Sequence, residues 1–222
     1  MTTFASLGVP EVLAAALAKR GITVPTEIQT AFIPAARAGE NLIGEAPTGT
    51  GKTFAYLLPV MERIDPSVRT AQALVLAPTH ELAMQIATVA RELAQAAGLP
   101  IGVQALIGGA NIKRQIEALK KKPALIVGSA PRVQELHRLG KLKLTGVKLL
   151  VLDEFDRLLG KQHLDEVRTV IRLLPADRQA LLLSATAGAM GATWGCVWSQ
   201  AGPLPDPPSL EGGLPTAVHW AN

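Results

Sequence analysis

The sequence predicts an α/β fold, a mostly parallel β-sheet with helices on both faces. Short runs of near-continuous Leu, Val, Ile and Ala alternate with segments of helical periodicity, and strands covered on both faces read as unbroken apolar runs because neither face meets water. Polar or glycine-rich punctuation follows the successive apolar runs. One of these, Ala46-Pro47-Thr48-Gly49-Thr50-Gly51-Lys52-Thr53, lies between such a strand and a helix.

Over 10–20, Val12, Leu13, Ala16 and Leu17 fit a short amphipathic helix stopped by Gly21. Thr26 is placed to cap a second helix that buries Ile28 and Phe32. Residues 41–44 read as a strand feeding the glycine-rich run, with a helix over 54–64 beyond it. Further strands are expected over 73–77, 103–107, 125–127, 147–152 and 180–183. Between them Leu82, Ile86, Val89 and Leu93 fall at helical spacing, as do Ile112, Ile116 and Leu119, residues 133–139, and Leu164, Val167, Ile171 and Leu174. Sheets of this kind bind ligands beyond the carboxyl ends of their strands. The punctuation at 48–53, 79–81, 108–109, 128–129, 153–154 and 184–186 lands there.

With 48% hydrophobic residues, the 222-residue chain can bury one sizeable core. No apolar run reaches the length of a membrane span, and the opening residues lack a basic flank and apolar stretch. A soluble cytoplasmic protein without a membrane partner is expected. The single cysteine, Cys196, excludes an internal disulfide and a cysteine-rich zinc site. A net charge of +4 permits a polyanionic partner without requiring one. Residues 187–222 carry no Lys or Arg and two acids, Asp206 and Glu211, so the first 186 residues hold 22 basic and 16 acidic side chains. The periodicity fails after Thr186, where six Gly, five Pro and all three Trp are gathered. Pro203, Pro205, Pro207 and Pro208 exclude a regular helix or central strand. The expected organisation is one domain over 1–186 and an irregular tail over 187–222.

The glycine-rich run has the chemistry of a P-loop. Gly49 and Gly51, with Thr48 and Thr50 beside them, let backbone N–H groups converge on an anion. Lys52 brings a cation to terminal phosphates, at the positive end of the helix that starts there. Thr53 offers a hydroxyl to magnesium, and Ala46 stands where the common pattern has glycine. Asp153-Glu154 ends the strand 149–152 at the same sheet edge. Asp153 is a candidate to hold Mg2+ and Glu154 to orient or deprotonate a water; the plainer alternative is that both acids cap the next helix.

These residues, with Asp153-Glu154-Phe155-Asp156 and Ser184-Ala185-Thr186, resemble the N-terminal RecA-like core domain of a DEAD-box RNA helicase, from about Phe4 to Thr186. The resemblance implies ATP and Mg2+ as cofactors and single-stranded or locally duplex RNA as partner. Residues 21–29 resemble the family's Q motif, in which Gln29 would read adenine and Phe4 would pack near the base. Thr26-x-x-Gln29 is equally a capping box, and the two roles are compatible. Pro78-Thr79-His80-Glu81-Leu82-Ala83 resembles the PTRELA motif, Gly108-Gly109 the paired-glycine turn, and Gly128-Ser129-Ala130-Pro131-Arg132 a changed GTPGR. By resemblance Pro78, Thr79, Gly108, Gly109, Ser129 and Arg132 would hold an RNA backbone. Ser184 and Thr186 would couple the nucleotide site to RNA by hydrogen bonding with Asp156.

Several positions depart from the family pattern. His80 lacks the guanidinium fork of the expected arginine. Ala130-Pro131 replaces Pro-Gly, and Phe155 puts a ring where the motif has alanine, so it either perturbs the acids or fills a pocket. Lys113, Arg114 and Lys120-Lys121-Lys122 could attract RNA, although the lysine run reads more simply as a solvated surface. His137 and His163 have no metal-ligand spacing. The family's mechanism closes two RecA-like domains on RNA, with arginines from the second. This chain lacks a source for those arginines after Thr186. A truncated helicase relative with little autonomous unwinding is therefore expected. A non-catalytic nucleotide-dependent RNA- or protein-binding module and a P-loop ATPase acting on DNA are the alternatives, and the oligomeric state stays open.

Overall fold

Successive residues of the central strands enter two different cores. Ala73, Val75, Leu125, Val127, Leu149, Val151, Leu181 and Leu183 pack into one, and Leu74, Leu76, Ile126, Leu150, Leu152, Ala180 and Leu182 into the other. This period-2 division of unbroken apolar runs is what a sheet covered on both faces requires. The structure, a computed structural model, describes residues 2–186. The tail expected over 187–222 lies outside the described residues.

The strands are β1 (Leu42–Glu45), β2 (Ala73–Leu76), β3 (Val103–Leu106), β4 (Leu125–Gly128), β5 (Leu149–Asp153) and β6 (Gln179–Ser184). They form one sheet in the order β1-β6-β5-β2-β4-β3, and every pairing is parallel. Around it run α1 (Glu11–Ala18), α2 (Glu27–Arg37), α3 (Lys52–Arg63), α4 (His80–Ala96), α5 (Ile112–Leu119), α6 (Ala130–Arg138), α7 (Phe155–Leu158) and α8 (Leu164–Arg172). The first core holds the buried faces of α1, α2, α3 and α4, and the second those of α6, α7 and α8. The fold is thus the α/β P-loop architecture with a wholly parallel sheet. Among the described residues no helix is long and apolar enough to cross a membrane.

The element boundaries differ from expectation in ways with simple causes. β5 begins at Leu149 rather than 147, because the Val147 N–H turns back to the Leu144 carbonyl. α6 begins at Ala130, three residues early, because Pro131 falls in its first turn, where a missing N–H costs nothing. The one-turn α7 was not expected, since four residues cannot display a helical period. α2 is fixed against α3 by a two-pronged ion pair, with Arg37 Nε on Glu62 Oε2 at 2.6 Å and Nη2 on Oε1 at 2.8 Å. At the opposite end of α2 the Gln29 amide donates to the Gly51 carbonyl, which holds the segment 26–29 beside the glycine-rich loop.

Candidate nucleotide and RNA site

The glycine-rich loop leaves β1 and closes into α3. Its first residue stays tied to the sheet, the Ala46 N–H donating to the Ser184 carbonyl at 3.0 Å. Gly51 precedes the helix at φ +90°, and a Cβ added there would lie 2.4 Å from Gln29 Nε2. Only glycine meets both conditions. The Lys52 amine donates to the carbonyls of Ala46 at 2.5 Å and Pro47 at 3.1 Å, and the Thr50 hydroxyl to that of Pro47 at 2.7 Å. Burial lowers the Lys52 pKa, while the carboxylates of Asp153, Glu154 and Asp156 pull it back up. The lysine thus shares one electrostatic neighbourhood with all three acids. A cavity of about 340 Å³ beside the loop is lined by Thr26, Glu27, Ile28, Ala46, Pro47 and Thr50.

Gln29 is 2% exposed and spans two segments. Its Oε1 accepts from the Thr26 N–H at 3.0 Å, and its Nε2 donates to the Gly51 carbonyl at 3.0 Å. The capping role is therefore real, and the same amide also braces the phosphate loop. One amide N–H and one lone pair of the carbonyl oxygen remain for a base. Phe4, expected near that base, is 3% exposed within the first core, so little of its ring faces outward.

Asp153 ends β5 with only 4% exposure. Its Oδ2 accepts from the Tyr56 hydroxyl at 2.9 Å and its Oδ1 from the Glu154 N–H at 3.0 Å. Burial raises its pKa against the opposing pull of those two hydrogen bonds and the Lys52 charge. A buried carboxylate held at such a cost, at the same sheet edge as the Thr53 hydroxyl at the start of α3, is a donor set that suits a hard cation. Thr53 and Asp153 fit magnesium on that test. Among the described residues no three His, Cys, Asp or Glu side chains gather into a metal cluster, which such a site does not need when phosphate oxygens and waters complete the shell.

Glu154 takes a left-handed backbone, φ 52°, and its carboxylate accepts from Arg157 Nη1 at 2.9 Å. A non-glycine residue in that region is strained and re-aims its side chain relative to the strand. Phe155 fills a pocket in the second core at 1% exposure, which settles how its ring is accommodated. The Thr186 hydroxyl donates to Asp156 Oδ2 at 2.5 Å, and the Thr186 N–H to Ser184 Oγ at 3.0 Å. Of the two hydroxyls expected on Asp156, that of Thr186 reaches it, while the Ser184 hydroxyl oxygen is taken up by the Thr186 N–H instead. Tyr56 escaped the sequence reading. The available signal was a lone tyrosine three residues after Thr53, on the buried face of α3.

The loops after β2, β3 and β4 form the other half of the edge. Thr79 caps α4, its hydroxyl oxygen accepting from the Leu82 N–H at 3.1 Å. Asn111 caps α5 through the Lys113 N–H at 2.9 Å. Ser129 precedes α6, and its own N–H donates to the Leu106 carbonyl at 3.1 Å. A cavity of about 210 Å³ is lined in part by Pro78, His80, Gly108, Ser129, Arg132 and His163. Thr79 and Gly109 are not among its lining residues. A Cβ on Gly108 would come within 3.0 Å of the His80 ring. The Arg132 side chain, 10% exposed, is held by Glu135 at 3.0 Å and by the Ala110 carbonyl at 3.4 Å. His163, given no role from spacing alone, lines this cavity from the start of α8. Lys120 pairs with Glu117 at 2.7 Å on an exposed face, in keeping with a solvated lysine run.

The geometry agrees with what comparison with known proteins finds. The DEAD/DEAH box helicase family matches residues 26–192. The chain is 48% identical over 168 residues to the DEAD-box ATP-dependent RNA helicase CshC of Bacillus cereus, covering 76% of this chain and 43% of that protein. It is 46% identical to the probable ATP-dependent RNA helicase YfmL of Bacillus subtilis, covering 75% and 44% respectively. It spans less than half the length of either relative. Among solved structures, a DEAD box protein from Methanococcus jannaschii superposes with a TM-score of 0.81 at 29% identity, covering 88% of this chain and 53% of that one. Dbp5 of S. cerevisiae bound to RNA and ADP BeF3 gives 0.80 at 28% identity, covering 92% and 51%. With the family match running through the phosphate loop, the acid pair and the Ser-Ala-Thr segment, the chain belongs to the DEAD/DEAH box helicases.

Proposed function

We propose that residues 1–186 are the ATP-binding core domain of an ATP-dependent RNA helicase, followed by a separate segment over 187–222. The observation that carries this reading is geometric: a glycine loop at φ +90° opens α3 at Lys52, and the buried Asp153 ends β5 at the same carboxyl edge of the sheet. An ordinary turn would not need a left-handed glycine and a helix start beside a buried carboxylate.

In this reading the loop N–H groups and Lys52 hold the terminal phosphates of ATP. Thr53 and Asp153 hold Mg2+, which when bound neutralises charge on the phosphate oxygens. Glu154 orients the attacking water and accepts its proton. Gln29 reads adenine with the hydrogen-bonding capacity left over from Thr26 and Gly51. Pro78, Thr79, Gly108, Gly109, Ser129 and Arg132 meet the RNA backbone, where helix starts and N–H groups favour phosphate over any base sequence. The Thr186–Asp156 bond ties that surface to the nucleotide acids. Full activity draws on a second RecA-like domain, consistent with relatives more than twice as long as the matched stretch.

ATP turnover by the purified chain tests the proposal, measured with and without RNA and with a relative's second domain supplied in trans. RNA-stimulated turnover in the complemented mixture, lost in Lys52→Ala, is expected. Nucleotide binding without turnover in any mixture would instead support a binding module. Equal competition by single-stranded DNA would support a DNA-directed ATPase.

A further inference from the structure

Tyr56 is the only tyrosine of the chain and is fully buried on α3. Packing does not explain its hydroxyl, because phenylalanine would fill the same space without burying a polar atom. The hydroxyl donates to Asp153 Oδ2 at 2.9 Å, a residue 97 positions away in the chain and one that the magnesium reading requires. The other such residue, Thr53, lies about one helical turn before Tyr56 on α3.

The direction of this bond matters. A phenol has one proton, and here it goes to the carboxylate, which favours the charged form that a cation needs. The carboxylate meanwhile keeps Oδ1 on the Glu154 N–H, so both of its oxygens are oriented before any ligand arrives. Groups behind metal ligands act this way, by fixing orientation and basicity rather than by touching the metal.

We propose that Tyr56 is a positioning residue for the divalent cation, orienting the Asp153 carboxylate through its hydroxyl. The proposal rests on the nucleotide reading of the site and extends it to a residue outside the phosphate loop and the acid segment. It assigns the cation's hold on this chain to three side chains rather than two.

The full chain carries its own reporter, since carbon-13-labelled tyrosine gives a single resonance. In the wild type that resonance should shift when Mg2+ is added to the ADP-bound protein, and Asp153→Asn should shift it without any ligand. Tyr56→Phe keeps the ring and should raise the Mg2+ concentration needed for tight ADP binding about tenfold, while ADP affinity in chelator stays within about twofold. A wild-type Mg2+ requirement in Tyr56→Phe, or a tyrosine resonance indifferent to Mg2+, would overturn the proposal. Equal losses of ADP affinity with and without Mg2+ would mark a packing role and overturn it too. Failure of the wild type to bind ADP with Mg2+ would overturn the nucleotide reading itself, a result separate from any difference between the two proteins.

Discussion

The two ends of the sheet's carboxyl edge are built differently. At the nucleotide end, Gln29, Asp153 and Ser184 are all buried, and each is bonded to another segment, Ser184 through its carbonyl to the Ala46 N–H. At the end proposed for RNA, Ser129 is buried but His80 and Gly109 are exposed, and the Thr79 hydroxyl is occupied in capping its own helix. A small, highly charged ligand gains most from groups already desolvated and aimed, because nothing then has to reorganise when it binds. A long polyanion asks for less, since N–H groups and charges spaced along a surface suffice. The departures from the family pattern fall at both ends: His80 and Ala130-Pro131 lie at the end proposed for RNA and Phe155 among the nucleotide acids, while the loop keeps Gly49, Gly51, Lys52 and Thr53.

If the nucleotide end is the pre-organised one, the largest effects should come from there. Lys52→Ala removes the cation of the loop and should cut RNA-stimulated turnover about 100-fold or more in a steady-state phosphate-release assay. The fold should survive, since the amine's own bonds are to two carbonyls of its own loop rather than to another element. Gly51→Ala comes next. The added Cβ meets Gln29 Nε2 at 2.4 Å on a backbone that L-residues avoid. It should weaken ADP binding about tenfold and cost about 1–2 kcal/mol of stability. Calorimetry and thermal unfolding check the two parts. Unchanged ADP affinity would show that the Gln29 brace is incidental.

The same end should show strain between function and stability. Burial lifts the Asp153 pKa above its ordinary value of 3.8, so in the window between the two the folded state binds more protons than the unfolded. Stability from this group is therefore complete below the ordinary value and falls as pH rises through the window. Asp153→Asn removes the titration. It should flatten that acidic slope and leave the protein equally or more stable at pH 7, by on the order of 1 kcal/mol, while losing Mg2+-dependent turnover. Urea unfolding across acidic to neutral pH measures it. A variant clearly less stable than wild type at pH 7 would mean that the Lys52 attraction outweighs the burial cost.

How much of this was legible in the sequence divides along the same line. β2, β4 and β5 announce themselves because both faces are buried, and the loop at Gly49–Lys52 because its chemistry admits few other residues. The start of α6 was misjudged because Pro131 reads as a breaker unless it is known to fall in a first turn. α7 and the left-handed Glu154 were illegible, being one turn long and held by tertiary packing of Phe155. The Gln29 cap was legible because it is local, but its bond to Gly51 joins residues 22 apart, which local pattern cannot register. Tyr56 was missed for the same reason. Its partner Asp153 is remote in the chain, and at a buried helical position its ring looks like ordinary core.

The smallest expected effect lies at the RNA end, where the comparison is easiest to break. His80 is exposed at the start of α4 and rests against the Gly108 turn. His80→Arg would return a long guanidinium to that position without displacing a buried group. One added phosphate contact should tighten single-stranded RNA binding about threefold at moderate salt and steepen the log affinity against log salt by about 0.7. ADP affinity should not move, because the nucleotide end holds its groups through bonds that do not involve α4. Fluorescence anisotropy with labelled RNA at three salt concentrations reads both quantities. An unchanged salt slope would remove His80 from the RNA path. A changed ADP affinity would be the more damaging result, since it would mean that the two ends are not separately built.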